Sequence, residues 1–403
     1  MLNRECLKPT LVSIIPNLEG GQGHIIPYHI AVDKVTQILD WKHQVAYSPD
    51  SQLTDLPVDW IGCLDGAKLE KKTHGFSKFI KPFEVISFAK TIYQFLSNQV
   101  LPNSTNTIIF LERFIHLQLF GLWLAISFLP TENLYIWILY RRDIHNEKTR
   151  FIYKILNKLI KYKVKPQNFQ LLSDSELLAQ SLGYYFGETL KVMPIPHTEF
   201  KSKPPSFSLL KSLNHQQNYP DNNNNNNYIL CWWAGPPREE KGWSIIKNIV
   251  NCQCSQANKF CLVAAKNSQL QSKQGGIKVH LIPNNLTRLD YEKWLSKSDI
   301  ILLPYDAKAY QEKTSGIFTE AIIAGTIPLV TKKSWMANEL LKYNLHELII
   351  DWNKPENIFE NIEKILDKSC LQIINKFQIM QQEYRCFHSL ENYAQKFYKL
   401  FIN

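Results

Sequence analysis

The 403-residue sequence has no CxxC pair among its eight cysteines, which stand at positions 6, 63, 231, 252, 254, 261, 370 and 386. Cys252-Gln-Cys254 is a lone C-x-C, so a zinc ribbon is excluded. A chain of this length has no need of disulfide staples, and reduced thiols in a cytoplasmic protein are expected. No apolar run reaches the roughly 20 residues that a membrane span requires. The longest runs from Leu117 to Leu129 and reads as a buried helix between two strands. The amino-terminal apolar stretch is too short and too soon interrupted for a secretory signal. Glycine is scarce, at 15 residues, which excludes collagen-like repeats. No H-E-x-x-H or D-x-D pattern suggests a metal, and none is expected. His24 and His29 have no nearby Ser–Asp or Cys partner, so a nucleophilic triad has no support.

What is present is ample core material. Hydrophobic residues make up 45% and aromatics 12%, which excludes a disordered chain. The length predicts two domains. Lys and Arg outnumber Asp and Glu by 46 to 36, a net charge of +10. Such a chain should meet an anion: nucleic acid, a phosphorylated small molecule or a lipid headgroup.

Strand-length apolar runs at 11–16, 44–47, 58–64, 108–111, 134–139 and 169–172 alternate with helical segments at 83–97, 114–128 and 148–161. Continuous apolar strands between helices indicate a parallel sheet covered on both faces. A polar Pro-, Ser- and Asn-rich tract ending in six asparagines follows, placing a linker at 197–227 between domains 1–196 and 228–384. The alternation then restarts with strands at 228–234, 259–265, 277–282, 299–303, 327–330 and 348–351. Helices fit 241–251, 288–296, 316–324 and 335–342, and three more follow near 355–367, 371–382 and 389–401. The fold class is therefore α/β, with two doubly wound Rossmann-like domains facing a cleft, and ligands are expected at the carboxyl ends of the strands.

Three segments could carry chemistry. In the first, Ser298 to Val330, a strand ends at Pro304 and a helix opens near Thr314, Ser315 and Gly316. Unpaired amides at that helix start, including Ile317, suit a phosphate. Glu312 and Glu320 stand near this anion site, where a carboxylate is better suited to sugar hydroxyls than to phosphate; otherwise they are solvated charges. In the second segment, Ala234-Gly-Pro-Pro-Arg-Glu-Glu-Lys-Gly-Trp243, Arg238 and Lys241 follow a strand. They either neutralise a diphosphate or lie on the surface beside Glu239 and Glu240. The third, Asn17 to His29, carries Gly21 and Gly23 before a helix, short of the full GxGxxG fingerprint.

Glu312-x7-Glu320 with SGIFTEAIIAG resembles the carboxyl-terminal signature of GT-B glycosyltransferases, closest to the retaining family 4 type. GPPREEKGW resembles that family's Arg/Lys phosphate motif, and Gly20–His24 its amino-terminal Gly-rich loop. The resemblance implies a metal-independent transferase without a cofactor, moving a sugar from a nucleotide-diphosphate donor to a glycan or lipid-linked acceptor in polysaccharide or glycoconjugate synthesis. It implies that Glu320 binds the ribose and Glu312 a donor-sugar hydroxyl, as the catalytic carboxylate. Arg238 and Lys241 would clamp the diphosphate, and amides around Ser315–Ile317 would complete the donor site. Gly21 and Gly23 would face donor or acceptor, and helix 385–403 would return to the first domain. Retention would follow front-face attack, the leaving phosphate taking the acceptor proton. The family usually has a histidine after the fifth strand; here Tyr140-Arg-Arg-Asp-Ile-His145 follows, leaving His145, Arg141 or Asp143 for that role. His24, Arg141 and Arg142 would lie on the acceptor side.

Between Arg141 and Lys165 nine Lys/Arg face two acids, and Ile152, Ile155, Leu156, Leu159 and Ile160 share one helical face. A second basic cluster spans Ala67–Lys90, interleaved with Phe76, Phe79 and Phe83. These suit either contact with an anionic membrane, at its inner face, or a solvated lysine face. No nucleic-acid-binding fold accompanies them. Two alternatives stay open: a nucleotide-sugar-binding protein without transfer activity, and a sugar-nucleotide epimerase.

Overall fold

The computed structural model describes residues 8–18, 24–49, 56–71, 80–200, 203–204, 228–253, 257–367 and 370–402. Gly21, Gly23, the asparagine run, Cys254 and the stretch with Phe76 and Phe79 lie outside the described residues. The chain divides into two compact units, 1–197 with 388–403, and 198–387.

In the first unit, strands β1 (Thr10–Ile15), β2 (Lys42–Tyr47), β3 (Ile61–Gly62), β4 (Thr107–Glu112), β5 (Leu134–Tyr140), β6 (Phe169–Ser173) and β7 (Leu190–Val192) form one sheet. Their order is β3-β2-β1-β4-β5-β6-β7 and every pairing is parallel. Side chains of a strand alternate between faces, so a strand covered on both sides is apolar throughout. β4 shows this: Ile109 and Leu111 enter one core with α2 (Lys81–Phe95), α3 (His116–Ser127), α4 (Arg150–Lys163) and α5 (Glu176–Phe186). Ile108 and Phe110 enter the other, with α1 (Ile25–Leu39) and a helix from the end of the chain, Leu390–Ile402. That last helix lays Phe397 against Trp137, with ring centres 5.0 Å apart. Its Tyr393 hydroxyl lies 2.6 Å from that of Tyr28. At its approach the Ile195 amide donates to Nδ1 of His388 at 2.9 Å.

The strand expected over 58–64 shrinks to Ile61–Gly62, paired only with Ala46 and Tyr47 at the sheet edge. Helix α5 and strand β7 are additional to the expected elements. Ser175 caps α5 by accepting from the Leu178 amide at 3.1 Å, and Gly187 ends it in the left-handed region.

The second unit's sheet has strands β8 (Ile229–Trp232), β9 (Phe260–Ala265), β10 (Lys278–Ile282), β11 (Ile300–Leu303), β12 (Ile327–Thr331) and β13 (Ile349–Ile350). The order is β10-β9-β8-β11-β12-β13, again all parallel. Its helices are α6 (Trp243–Asn251), α7 (Arg288–Lys297), α8 (Gly316–Ala324), α9 (Trp335–Lys342), α10 (Pro355–Asp367) and α11 (Cys370–Phe387); Leu390–Ile402 is α12. The helix expected from residue 241 starts at Trp243, because Gly242 adopts φ +80. Helix α8 packs against β12 and α11, and every residue from Ile317 to Ala324 is buried. Lys203 belongs to this unit: its amide donates to the Ala324 carbonyl, and its carbonyl accepts from Gln381.

Candidate functional site

In a doubly wound sheet the strand order reverses at one place, and loops leaving the strands there open a crevice for ligands. In the second unit that place lies between β8 and β11. The loop after β8 carries Gly235, Arg238 and Lys241, and the loop after β11 carries Glu312, Lys313, Thr314 and Ser315. The two loops are fastened together. The Asp306 amide donates to the Glu240 carbonyl at 3.0 Å. A Cβ on Gly242 would fall 2.1 Å from the Pro304 carbonyl oxygen, so only glycine fits.

Lys241 is the centre of this arrangement. Its carbonyl accepts from the indole of Trp233 at 3.0 Å. Its ammonium rests on the bare backbone of Gly235, where a Cβ would approach to 2.8 Å, and lies 5.8 Å from the centre of the Tyr305 ring. Tyr305 packs on Tyr310 at 4.5 Å, and the Lys313 ammonium sits 5.0 Å over the Tyr310 ring. Burial, then the nearby Arg238 and Lys313 cations, push the Lys241 pKa down to about 8. A group so strained in its charged form gains most from an anion. Arg238 is exposed, 3.8 Å from Glu240.

Ser315 caps α8, its hydroxyl accepting from the Phe318 amide at 3.3 Å. The amides of Gly316 and Ile317 in the first turn have no carbonyl one turn earlier to bond, so this end suits a phosphate. Thr314 and Ser315 are buried, and Glu312 is half-buried in the loop. Glu320 is fully buried on α8. Its carboxylate accepts from the Tyr291 hydroxyl at 2.6 Å and from Arg288 Nη1 at 3.1 Å, both on α7. Arg288 in turn lies 4.4 Å over the Phe200 ring. The arginine neutralises the buried acid. Sequence reasoning missed Arg288, Tyr291, Tyr305 and Lys313; no motif spacing links α7 to α8.

In the first unit the reversal lies between β1 and β4. Here the carboxyl edge of the sheet is filled with paired charges. Arg141, just after β5, donates to Glu112 at the end of β4 at 3.1 Å and to Asp174 after β6 at 2.9 Å. Its guanidinium lies 4.9 Å over the Tyr28 ring. His29 Nε2 stands 3.5 Å from Glu112. Burial alone would raise the Glu112 pKa, but Arg141 and His29 outweigh it and hold it at about 2. The neighbouring carboxylates likewise raise the Arg141 pKa. Glu112, Asp174 and His29 were not anticipated; acids closing apolar strands were the available signal.

The other acceptor-side candidates separate. Arg142 is ion-paired with Glu147 and lies 3.4 Å from the Tyr153 hydroxyl. The His145 amide donates to Asp143 Oδ1 at 2.7 Å, and its ring meets Tyr185 edge-on at 5.8 Å. His24, at the start of α1, lies 3.0 Å from His197, nitrogen to nitrogen.

No protein-family model matches the chain, and no curated protein matches it in sequence. Solved structures do. A glycosyltransferase from Rickettsia africae ESF-5 aligns at 14% identity and TM-score 0.61, covering 98% of each chain. "Trehalose-6-phosphate from E. coli bound with UDP-2-fluoro glucose" aligns at 10% identity and TM-score 0.61, covering 97% of this chain and 98% of that one. A putative UDP-N-acetylglucosamine 2-epimerase from Listeria monocytogenes aligns at 14% identity and TM-score 0.56, covering 97% and 95%. At these identities the likeness establishes the fold: two parallel-sheet α/β units of the GT-B kind.

Proposed function

We propose that the chain is a glycosyltransferase that moves a sugar from a nucleotide-diphosphate donor to a glycan or lipid-linked acceptor, with retention and without a metal or cofactor. The observation that carries this reading is the switch point of the second sheet. There a strained lysine, an arginine and the amino end of α8 adjoin, and α8 also holds the buried Glu320. In this reading Lys241 and Arg238 bind the diphosphate, Arg as a fork and Lys as a point charge. The amides of Gly316 and Ile317 receive one phosphate, with Thr314 and Ser315 beside them. Glu320 accepts from the ribose hydroxyls while Arg288 and Tyr291 hold it in place. Glu312 accepts from a donor-sugar hydroxyl. Departure of the phosphate leaves negative charge that these cations stabilise, and the phosphate takes the acceptor proton. A neighbour's bound UDP-2-fluoro glucose supports the choice of donor class.

A second reading, a nucleotide-sugar-binding protein without transfer activity, is favoured by Arg141. Where the family resemblance implies a histidine, this side chain is taken up by Glu112 and Asp174.

A thermal-shift screen of UDP-, GDP-, ADP- and dTDP-sugars tests the donor site, since a ligand that binds only the folded state raises the melting temperature. A rise with one donor, lost in Lys241→Ala, is expected. No shift with any of them sinks both readings. Donor turnover with an acceptor, or its absence, separates the two.

A further inference from the structure

A helix lying on a sheet normally turns its apolar side inward and its polar side to water. Helix α4 obeys the first half only. Tyr153, Leu156 and Ile160 are buried against the first unit's core. On the opposite side Phe151, Ile155 and Tyr162 are 55%, 50% and 92% exposed. The residues stand at i, i+4 and i+11, which places them in one stripe. This corrects the expectation that Ile155 belongs to the same face as Leu156 and Ile160.

Two neighbours repeat the pattern. Helix α3 packs against both α2 and α4, so the three form one layer. On α2, Phe83 and Ile86 are 72% and 55% exposed, while Val85, Phe88 and Ile92 are buried. Helix α3 has no charged residue, and its exposed Phe120 stacks on Trp123 at 5.5 Å.

The charge of this layer has one sign. Helices α2, α3 and α4 together hold seven Lys/Arg and one acid. That acid, Glu84, is paired with Lys81 at 2.9 Å. Lys154 and Lys161 turn inward, to the Tyr185 carbonyl at 2.7 Å and to Glu188 at 2.6 Å. Lys90 and Lys158 stay exposed beside the apolar stripes, and Lys148 is exposed just before α4.

From this arrangement we infer that the outer face of α2, α3 and α4 docks on an anionic lipid surface. Aromatic and aliphatic side chains enter the boundary between headgroups and acyl chains, and the lysines meet the headgroup phosphates. Long lysine stems let the same face be apolar at its base and charged at its rim. No helix of the described residues is long and apolar enough to cross a membrane, so the contact is peripheral. The inference is independent of the donor chemistry; a chain that binds no nucleotide sugar could dock in this way.

The test is co-sedimentation of the full chain with phosphatidylcholine vesicles, with and without 30% phosphatidylglycerol (a composition of about this anionic content reproduces a charged leaflet). Binding to the anionic vesicles at least about tenfold tighter than to the neutral ones is expected, and should weaken in high salt. The combined Phe83→Ser, Phe151→Ser, Ile155→Ser variant should lose this binding. A second variant, Lys90→Gln, Lys148→Gln, Lys158→Gln, should lose the anionic preference while keeping its melting temperature, which guards against misfolding in the first. No binding to anionic vesicles, or binding that neither variant weakens, overturns the inference. A concentration-dependent dimer in vesicle-free solution, dispersed by the serine substitutions, also overturns it and assigns the face to a second copy of the chain.

Discussion

The two switch points share a topology and differ in electrostatics. At the first, one arginine is enclosed by two buried carboxylates, a histidine and a tyrosine ring, so the cation finds its counter-charges within the protein. At the second, Lys241 is half-buried among other cations and its charged form is disfavoured. The first arrangement supplies its cation with carboxylates from its own strand ends. The second leaves its lysine without such counter-charges, which is what the proposed donor phosphates would supply. Similar strand ends can thus form a structural clasp or, in the proposed function, a receptor, and the balance of charge around the central cation separates the two.

The largest expected effect tests the clasp. Arg141→Ala strands Glu112 and Asp174, and should cost about 3–5 kcal/mol of stability in chemical denaturation. A loss below about 1 kcal/mol would remove the structural half of the contrast. Next, Lys241→Ala or Arg238→Ala should weaken donor binding by about 1.5–3 kcal/mol each, roughly ten- to hundredfold, by calorimetry. Stability should stay within about 0.5 kcal/mol for exposed Arg238. If these variants unfold the protein instead, the receptor half is misassigned.

A third prediction uses pH on the first unit. His388 is buried, and this pulls its pKa down to about 3, while the Ile195 amide donates to its Nδ1. The unfolded chain therefore binds the proton first as pH falls below about 6.5. Stability is fully present above that value and is lost toward pH 3, by about 2 kcal/mol at pH 5. His388→Asn, which keeps an acceptor, should flatten the decline of melting temperature between pH 7 and 5. The smallest effect lies on the alkaline side. Lys241 is charged below about pH 8, so donor affinity should hold to that point and drop roughly tenfold by pH 9. Lys241→Arg should bind equally at both values, because arginine stays charged.

Much of this architecture was legible because parallel strands buried on both faces read as unbroken apolar runs. β4 and β5 were found within about a residue or two of their ends, the ordinary uncertainty of such boundaries. Helix α5 and β7 escaped because α5 holds Gly183 and ends at Gly187, and β7 has three residues. Glu320 was conspicuous as an acid in an otherwise apolar helix. Its partners were not, because Tyr291 and Arg288 lie 29 and 32 residues away on another helix. The Arg141 clasp is built from the ends of three strands, and linear spacing says nothing of which strands are neighbours. Helix α4 misled because it is apolar on two faces, and periodicity alone does not tell which one the core takes.

The return of α12 to the first unit has a consequence for synthesis. Leu390, Tyr393, Phe397 and Leu400 close a core whose other members, among them Leu11, Tyr28, Phe110 and Trp137, are made long before. While the ribosome works through residues 198–387, that face of the first sheet has only α1 as cover. The second unit is continuous in sequence and can complete itself as it emerges. The part of the chain translated first is therefore the part finished last, reversing the usual amino-terminal-first order. Until then the part of that apolar face that α12 covers stays open to solvent.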